Sequence, residues 1–383
     1  MRLLHLVRTL NPEKGGPSES VRMFVLAHQR AGNEVEVATL DAPGEFDTAL
    51  NCEVHCCGPG WGTYGYSPRL PQWLRANRSR FDGAIVNAVW QFHGVAARQA
   101  LAGRMPYAVF AHGMLDPYFM RRYPTKHLKK LAYWTLEECR NLNQAAAVCF
   151  TSEEEKKNAA VGFPFRRFNR IVIPYGTTGP LGDPIELRQA FSSAYPDLAD
   201  RRFLLFLGRI HPKKGCDILL DAFAHTAPAD FELVIAGPDE MGLLPKLKAQ
   251  AVKLGIESRV HWTGMLSGQV KWGAYFTAQA FILPSHQENF GISVADALSC
   301  GLIPLISDKV NIAAEIAGDG AGLMEPDTLE GTEQLIQRFL ALSPEQLGQA
   351  RIRAYECYQQ RYALKNSTAV LYRAMGLVAE NLV

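Results

Sequence analysis

The chain has 383 residues, of which 48% are hydrophobic and 20% charged, a composition typical of a folded globular protein with more than one domain. A net charge of +2 gives no support to nucleic-acid binding, and no stretch approaches the roughly 20 apolar residues of a membrane-spanning helix. The opening MRLLHLVRTL does not match a signal peptide, because Arg8 interrupts a short apolar run. The eight cysteines are scattered without paired spacing, so the sequence predicts a protein of the reducing cytoplasm.

Short apolar segments typical of β-strands recur along the chain. The first half contains LLHLV, EVEVATL, EVHCC, GAIVNAV, YAVFAH, AAVCFTS and IVIP, and the second half contains FLLFLG, FELVIAG, VHWTG, AFILPS, IPLIS and AGLM. Between them, segments such as SESVRMFVLAHQRAG place apolar residues at helical spacing. This alternation predicts βαβ units, parallel sheets and an α/β fold.

The strands form two series, separated by the Gly-, Pro- and Thr-rich stretch YGTTGPLGDP (175–184), which we interpret as a linker. We therefore predict two Rossmann-like, doubly wound parallel-sheet domains, residues 1–180 and 181–359, that face a central cleft. The pattern is continuously helical after about Ser343, and the final helix, about 360–383, is expected to cross back to the first domain. Ligands of open α/β sheets bind at the carboxyl ends of the strands, so the loops there are the candidates.

Two of these loops are suited to an anion. In NPEKGGPSES (11–20), Gly15 and Gly16 permit close backbone approach before a helix start, although a structural turn is an equal alternative. The loop lacks the spacing of the dinucleotide and Walker motifs. In GRIHPKKG (208–215), Arg209 and Lys214 are suited to phosphate, with ordinary surface charge as the alternative.

Two further loops carry a histidine and a pair of acids. His112 in AHGMLDP (111–117) directly follows a strand, where a polar functional group and an incidental histidine are equally favoured. In HQENFGISVADALSCG (286–301), Glu288 precedes a helix start, but Asp296 lies more than a turn inside, where helix capping does not explain it. Both acids are suited to a ligand with hydroxyl groups.

Taken in order, the motifs resemble those of a retaining glycosyltransferase of family 4 with the two-domain GT-B fold. The motifs are GGPSES, HGMLDP, FTSEEE, IPYG, FLGRIHPKKG, IAGP, PSHQENFGISVADALSCGLIPL and SDKVNIAAEI, and they cover nearly the whole chain. The resemblance implies transfer of a hexose from a nucleotide sugar, bound mainly by the second domain, to an acceptor on the first. By family frequency, UDP-glucose or a related UDP-hexose is the first expectation and GDP-mannose the second. The expected acceptor is a glycan or lipid-linked sugar of surface polysaccharide synthesis.

The resemblance also implies roles for particular residues. The implied catalytic residues are His112, Arg209, Lys214 and Glu288. Donor contacts are implied for Gly15, Gly16, Gly208, Arg209, Lys214, Gly237, Gly264, Glu288, Asn289, Phe290, Gly291 and Asp296. Asp296 is one methylene shorter than the usual Glu, Tyr175 stands where the linker motif usually has Asn, and Glu13 and Lys14 lie beside the first-loop glycines.

No metal or other cofactor is expected, because the chain has no Asp-x-Asp motif. A cluster of Cys52, His55, Cys56 and Cys57 fits zinc spacing poorly, and we interpret it as a strand with buried thiols.

The segment FMRRYPTKHLKKLAYW (119–134) carries Arg121, Arg122, Lys126, Lys129 and Lys130 beside apolar residues. It indicates either contact with an anionic membrane surface, on the inner face of the membrane, or a solvated helix face.

Two alternatives to transfer are a non-hydrolysing nucleotide-sugar epimerase and a catalytically silent sugar-nucleotide-binding subunit. The shortened acid at Asp296 favours the silent subunit, whereas the other site residues oppose it.

Overall fold

A computed structural model describes residues 1–11, 16–45, 50–117, 124–164 and 167–378. The chain divides into two compact units. Unit 1 comprises Met1–Tyr175 and Leu364–Val383, and unit 2 comprises Gly176–Ala363. The sequence placed the corresponding boundaries at 180 and about 360.

Unit 1 is built on a seven-stranded parallel sheet with the strand order β3-β2-β1-β4-β5-β6-β7. The strands are β1 (Arg2–Val7), β2 (Glu34–Thr39), β3 (Glu53–Cys56), β4 (Gly83–Asn87), β5 (Tyr107–Phe110), β6 (Ala147–Phe150) and β7 (Arg170–Val172). Its first helices are α1 (Gly16–Arg30), α2 (Arg69–Asn77), α3 (Phe92–Leu101), α4 (Pro124–Tyr133), α5 (Cys139–Gln144) and α6 (Glu153–Gly162). A π-helical turn, Trp134–Glu138, joins α4 to α5.

Unit 2 is built on a six-stranded parallel sheet with the order β10-β9-β8-β11-β12-β13. The strands are β8 (Arg202–Leu207), β9 (Phe231–Ala236), β10 (Val260–Gly264), β11 (Ala280–Leu283), β12 (Pro304–Ser307) and β13 (Leu323–Glu325). Its helices are α7 (Pro184–Ala194), α8 (Cys216–Thr226), α9 (Leu244–Lys253), α10 (Gly268–Thr277), α11 (Ile292–Ser299), α12 (Ala313–Gly318), α13 (Leu329–Leu340) and α14 (Pro344–Cys357).

The central strands are buried along their length, which explains why they read as unbroken apolar runs rather than as alternating patterns. Each of the thirteen apolar segments predicted as a strand overlaps one. In both sheets the direction in which strands are added reverses after the third strand, so that the switch point lies between β1 and β4 in unit 1 and between β8 and β11 in unit 2. The predicted pair of doubly wound parallel sheets is therefore confirmed, and each has a switch point at which ligands of such sheets bind.

The prediction of a continuous helical tail is wrong at Ala363 and again after Ala374, where the described residues 375–378 form turns. After α14 a π-helical turn covers Tyr358–Tyr362, Ala363 is extended with φ −68° and ψ 124°, and α15 then runs over Leu364–Ala374. Ala363 is held out of the helix by a backbone bridge to Thr177 at the start of unit 2. The tail therefore belongs to unit 2 up to Ala363 and to unit 1 beyond it.

The last helix is fixed within unit 1 beside α1. The Tyr372 hydroxyl is hydrogen-bonded to His28 Nδ1 at 2.5 Å and accepts a bond from Asn33 Nδ2 at 2.9 Å. Within the described ranges, no helix combines the length and the apolar character needed to cross a bilayer.

Candidate active site

Three glycines lie at the carboxyl ends of neighbouring strands of unit 2. Gly208 follows β8, Gly237 follows β9 and Gly264 ends β10, and their backbones are connected by bonds from Gly208 N to Ala236 O (2.9 Å) and from Gly237 N to Gly264 O (2.7 Å). A Cβ on Gly237 would lie 1.9 Å from Gly208 O, and its φ is 145°, so this position requires glycine. The structure thus brings together the three glycines predicted to contact the donor, at the carboxyl edge of the sheet.

Lys214 and Glu288 meet at the switch point of the same sheet. Lys214 ends a short 3₁₀ turn after β8, Glu288 follows β11, and Lys214 Nζ donates a hydrogen bond to Glu288 Oε2. Their side chains are only 16% and 19% exposed. Partial burial strengthens the ion pair relative to one in bulk water, so each side chain is held in place for a ligand.

The two loops that carry this pair are packed against each other through their backbones. Gly215 has φ 67°, and a Cβ there would lie 2.3 Å from Pro284 O, which explains the glycine that ends GRIHPKKG. His286 N also donates to Lys213 O at 2.7 Å. These close approaches fix the position of Lys214 relative to Glu288.

The loop after β12 supports Glu288 from its other side. Glu288 N donates to Lys309 O at 3.0 Å, and Asn311 N donates to Glu288 O at 3.1 Å. Asn289 Oδ1 accepts a bond from Asn311 Nδ2 at 3.3 Å. The acidic loop is therefore positioned by its neighbour in the sheet as well as by Lys214.

The start of helix α11 follows directly. Gly291 has φ 81° and forms the turn into Ile292–Ser299, while Phe290 is 2% exposed and packs edge-on against Tyr362 at 5.7 Å. The first amides of a helix have no acceptor within the helix and point along its axis, so they favour an anion. Phe290 anchors this turn in the core of unit 2, so we interpret its contribution as its backbone amide rather than its ring.

Arg209 occupies a different environment from Lys214 on the same loop. Its side chain is 55% exposed, and its Nη1 donates to Glu240 Oε2 at 2.8 Å, in the loop after β9. The loop is nevertheless cationic: the pKa of His211 is lowered by burial and then by the charges of Arg209 and Lys213. The structure does not place Arg209 in the Lys214–Glu288 pair.

Asp296 lies inside unit 2 with both carboxylate oxygens bonded. It is 2% exposed; Oδ1 accepts from Thr177 Oγ1 at 2.6 Å and Oδ2 accepts from Lys271 Nζ at 2.6 Å. These contacts give Asp296 a positioning role between α10, α11 and the first residues of unit 2. Sequence reasoning missed Lys271, whose one signal is a lysine within an otherwise apolar helix. The predicted ribose contact of Asp296 stays a prediction.

His112 lies after β5 of unit 1 in the left-handed region, with φ 51°. Its Nδ1 is hydrogen-bonded to the Tyr175 hydroxyl, and its ring stacks on Phe110 with centroids 5.7 Å apart. Burial, followed by the proximity of His93, lowers the pKa of His112 to about 3, so the imidazole is neutral at ordinary pH. Ala88 and Trp90, after β4, also have positive φ, and such backbone strain is concentrated at functional sites.

Glu155 connects two of the sequence motifs. Its Oε1 accepts a hydrogen bond from Gly113 N at 2.6 Å, and its Oε2 accepts from Thr151 N and Oγ1, both at 2.7 Å. Glu155 is 2% exposed and lies in FTSEEE, whereas Gly113 lies in HGMLDP. The acidic motif therefore holds the backbone beside His112, a role that sequence reasoning did not assign.

The first loop is described in part. Gly15, Glu13 and Lys14 lie outside the described residues, and Gly16 is the first residue of α1. A cavity of about 100 Å³ opens beside it at the switch point of the unit 1 sheet. It is lined by Val7, Arg8, Thr9, Pro17, Ser18, Asn87, Ala88, Gln91 and Met114.

The cysteine-rich segment forms strand β3, as predicted, but its thiols are only partly buried, since Cys57 is buried whereas Cys52 and Cys56 are half-buried. None of the eight cysteines forms a disulfide bond. Among the described residues, the one group with metal-ligand spacing is Glu36, Glu53 and His55. Glu36 already accepts hydrogen bonds from Arg2 (2.8 Å) and Arg80 (2.9 Å), and its other oxygen is bonded to His55 (2.6 Å). Two guanidinium groups disfavour a cation at this position, so we interpret the group as an ion network.

Comparison with known proteins identifies the class. A family model described as "Glycosyl transferases group 1" matches residues 189–355, and one described as "Glycosyl transferase 4-like domain" matches residues 15–176, so that together they cover most of the chain. The chain belongs to the group 1 glycosyltransferases, with the GT-B fold.

Individual relatives cover nearly the full length. A "GDP-mannose:cellobiosyl-diphosphopolyprenol alpha-mannosyltransferase" of Xanthomonas campestris is 27% identical over 94% of this chain and 93% of its own. A protein of the same name from Komagataeibacter xylinus is 24% identical over 92% and 87%. Among solved structures, Anabaena HepE in complex with UDP has a TM-score of 0.77 at 18% identity, covering 99% of this chain and 100% of HepE. A Rickettsia africae glycosyltransferase has a TM-score of 0.76 at 14% identity, covering 100% and 99%. At this sequence identity, the similarity to these two solved structures shows a shared fold.

Proposed function

We propose that this chain transfers a hexose from a nucleotide diphosphate sugar to a lipid-linked glycan acceptor, with retention of the anomeric configuration and without a metal ion. The observation that carries the proposal is the Lys214–Glu288 pair at the switch point of the unit 2 sheet. A lysine ammonium group has three N–H donors, so the bond to Glu288 leaves two for phosphate oxygens. The Glu288 carboxylate has further lone pairs for sugar hydroxyl groups.

Breaking the anomeric bond places negative charge on the leaving diphosphate and positive charge on the sugar. Preorganised cations and amides that face the negative charge supply the largest share of such catalysis. Lys214 and the amides around Gly291 would serve the diphosphate, and the carboxylate of Glu288 would bind the hexose. Arg209, on the exposed side of the same loop, would contribute through its charge.

The acceptor is proposed to bind at unit 1. Arg8, Thr9 and Ser18 are part of the lining of the cavity beside α1. His112 follows β5, which is the neighbour of β4 in the sheet. A guanidinium group is suited to a diphosphate-linked acceptor, because it binds phosphate through two parallel hydrogen bonds. The full-length relatives whose names specify a diphosphopolyprenol acceptor support this choice.

We propose GDP-mannose as the donor, ahead of the UDP-hexose that the sequence ranks first. The reason is that relatives matched over more than nine-tenths of this chain carry GDP-mannose in their names. The structures with bound UDP resemble this chain at 18–19% identity, which supports only the fold. The two donors differ in both base and sugar, so they are readily distinguished by experiment.

We expect GDP-mannose to raise the melting temperature and to support transfer to a diphosphate-linked lipid glycan, whereas UDP-glucose does neither at the same concentration. A donor at about 100 times its Kd adds about 2.7 kcal/mol to the free energy of unfolding. Addition of EDTA should leave transfer unchanged.

Transfer from UDP-glucose alone would restore the ranking from the sequence, and EDTA inhibition relieved by magnesium would contradict the metal-free reaction. An isomer formed from donor alone would indicate an epimerase. Binding without transfer or hydrolysis would indicate a silent subunit.

We further propose that the face of α4 and the following π-helical turn contacts an anionic membrane. Leu128 and Leu136 are 67% and 61% exposed, eight residues apart on one face with Ala132 between them, and Lys129 and Arg140 are exposed nearby. Lys130 does not belong to this face, because its Nζ lies 4.9 Å from the centre of the Trp90 ring. Arg121 and Arg122 lie outside the described residues.

Replacing Leu128 and Leu136 by serine is expected to reduce sedimentation with phosphatidylglycerol vesicles severalfold, because the exposed apolar side chains supply the insertion energy. Leu181→Ser is a matched control, since Leu181 is 65% exposed on unit 2. Equal sedimentation of both variants and the wild type would contradict this surface, as would wild-type protein that does not sediment with anionic vesicles.

A further inference from the structure

The side chain of His112 is held in one orientation by two aromatic residues. Phe110 and Tyr175 stack on its ring at centroid distances of 5.7 and 5.5 Å, and the Tyr175 hydroxyl is hydrogen-bonded to its Nδ1. Tyr175 is 7% exposed and is the last residue of unit 1 before the chain enters unit 2.

The hydrogen bond determines which imidazole nitrogen carries the proton. Burial, followed by the charge of Glu155, raises the pKa of Tyr175 well above its ordinary value, and burial lowers that of His112, so both groups are neutral. A phenolic oxygen is a weak acceptor and an imidazole nitrogen a strong one, which favours donation from the Tyr175 O–H to Nδ1. The imidazole proton then resides on Nε2.

The other nitrogen of His112 is the atom available to a substrate. Nε2 is buried and has no hydrogen-bond partner among the described residues. A buried N–H group without a partner is costly unless a ligand oxygen satisfies it. The backbone beside it is fixed by the bond from Gly113 N to Glu155, and rotation of the ring would break its bond to Tyr175.

We propose that Tyr175 is a positioning residue that fixes His112 in its Nε2–H tautomer and so presents a neutral N–H donor to an oxygen of the acceptor bound at unit 1. The proposal rests on the proposed function for the identity of the substrate. Tyr175 itself touches the histidine and acts through it.

Tyr175→Phe tests the proposal because it keeps the ring and removes only the hydroxyl group. We expect kcat to fall by about tenfold, the effect of losing one hydrogen bond in the transition state, with the donor KM changed less than about twofold. Tyr107→Phe is the matched control. Tyr107 is a buried tyrosine on β5 whose hydroxyl donates to Asn141 O at 2.8 Å, and its loss should leave kcat near that of the wild type.

Nitrogen-15 NMR of protein labelled in the histidine rings reads the tautomer directly. We expect the His112 signals, assigned by their absence in His112→Gln, to show Nε2–H with an accepting Nδ1 in the wild type and in Tyr107→Phe. In Tyr175→Phe they should move toward a tautomer mixture. A wild-type Nδ1–H tautomer, or an unchanged kcat in Tyr175→Phe, would overturn the proposal. The NMR result does not depend on turnover, so failure of the proposed function and failure of the positioning role are distinguishable.

Discussion

Lys214→Ala is expected to lower the rate of hexose transfer by about 10²-fold or more while the fold is retained, the effect seen when a group that stabilises transition-state charge is removed. Lys214 is the cation that the structure holds against Glu288, at the point where the unit 2 sheet reverses its order. Its removal takes away the positive charge proposed to face the diphosphate and leaves the Glu288 carboxylate without its partner. The measurement is the steady-state transfer rate, with circular dichroism to verify folding.

The neighbouring lysine provides the control for this variant. Lys213 lies on the same turn, is exposed, and donates to Gln287 Oε1 at 2.7 Å. We expect Lys213→Ala to retain most of the activity, and an equal loss in both variants would indicate a general effect of loop charge. The sequence predicts an equally large loss for Arg209→Ala, but its exposed pair with Glu240 leads us to expect a smaller one. Near-normal turnover of Lys214→Ala would contradict the assignment of Lys214.

Unit 1 is expected to unfold in mild acid, because it buries four neutral histidines. Burial lowers the pKa of His28 and His112 to about 3, that of His93 to about 4, and that of His5 well below its ordinary value. Three of these histidines lie close together. The ring centroids of His5 and His28 are 5.3 Å apart, and Asn87 is hydrogen-bonded to both His5 and His93.

The direction of the effect follows from proton binding. Below the unfolded pKa of about 6.5, the unfolded chain binds protons on these histidines and the native chain does not, so stability falls as the pH falls. Each histidine contributes about 1.4 kcal/mol per pH unit, so four together approach about 5 kcal/mol per pH unit until the pH nears 4. The buried Glu138 opposes this loss, since burial raises its pKa and its native form binds a proton more readily. A domain stable by about 5–15 kcal/mol should therefore unfold near pH 5.

Tryptophan fluorescence as a function of pH is a suitable measurement, because four of the six tryptophans, Trp61, Trp73, Trp90 and Trp134, belong to unit 1. His93→Gln removes one buried titrating group and should move the acid midpoint to lower pH. His225→Gln is the control, since His225 is exposed in unit 2 and its replacement should leave the midpoint unchanged. Retention of native fluorescence to pH 4 would contradict the prediction.

The strands and the loops with site residues could be predicted from the sequence because both depend on local patterns. Lys214 and Glu288 were each placed correctly after a strand, but their contact arises because β8 and β11 are neighbours in the sheet, although three helices and two strands separate them along the chain. Sheet order of this kind is a tertiary property. The partners of Asp296 show the same limit, since Thr177 lies 119 residues away along the chain.

Two other features escaped prediction for related reasons. Tyr175 was noticed as a departure from the usual motif, but its partner His112 is 63 residues away and no local pattern connects them. The local pattern predicts a helix through Ala363, and the helix propensity of alanine gives no signal against it. The chain is extended there because Ala363 pairs with Thr177, and tertiary pairing overrides local propensity.

That pairing has a wider consequence for the architecture of the protein. Thr177 N donates to Tyr362 O at 2.9 Å, and the Tyr358 hydroxyl donates to Thr177 O at 3.2 Å, so the chain enters and leaves unit 2 at the same place. The six-stranded half is in effect a cassette inserted into the other half through two adjacent joins. Recombination at those joins would exchange the whole of unit 2 without rethreading the rest of the polypeptide, and if unit 2 binds the donor as proposed, it would offer a route by which such transferases acquire new donors.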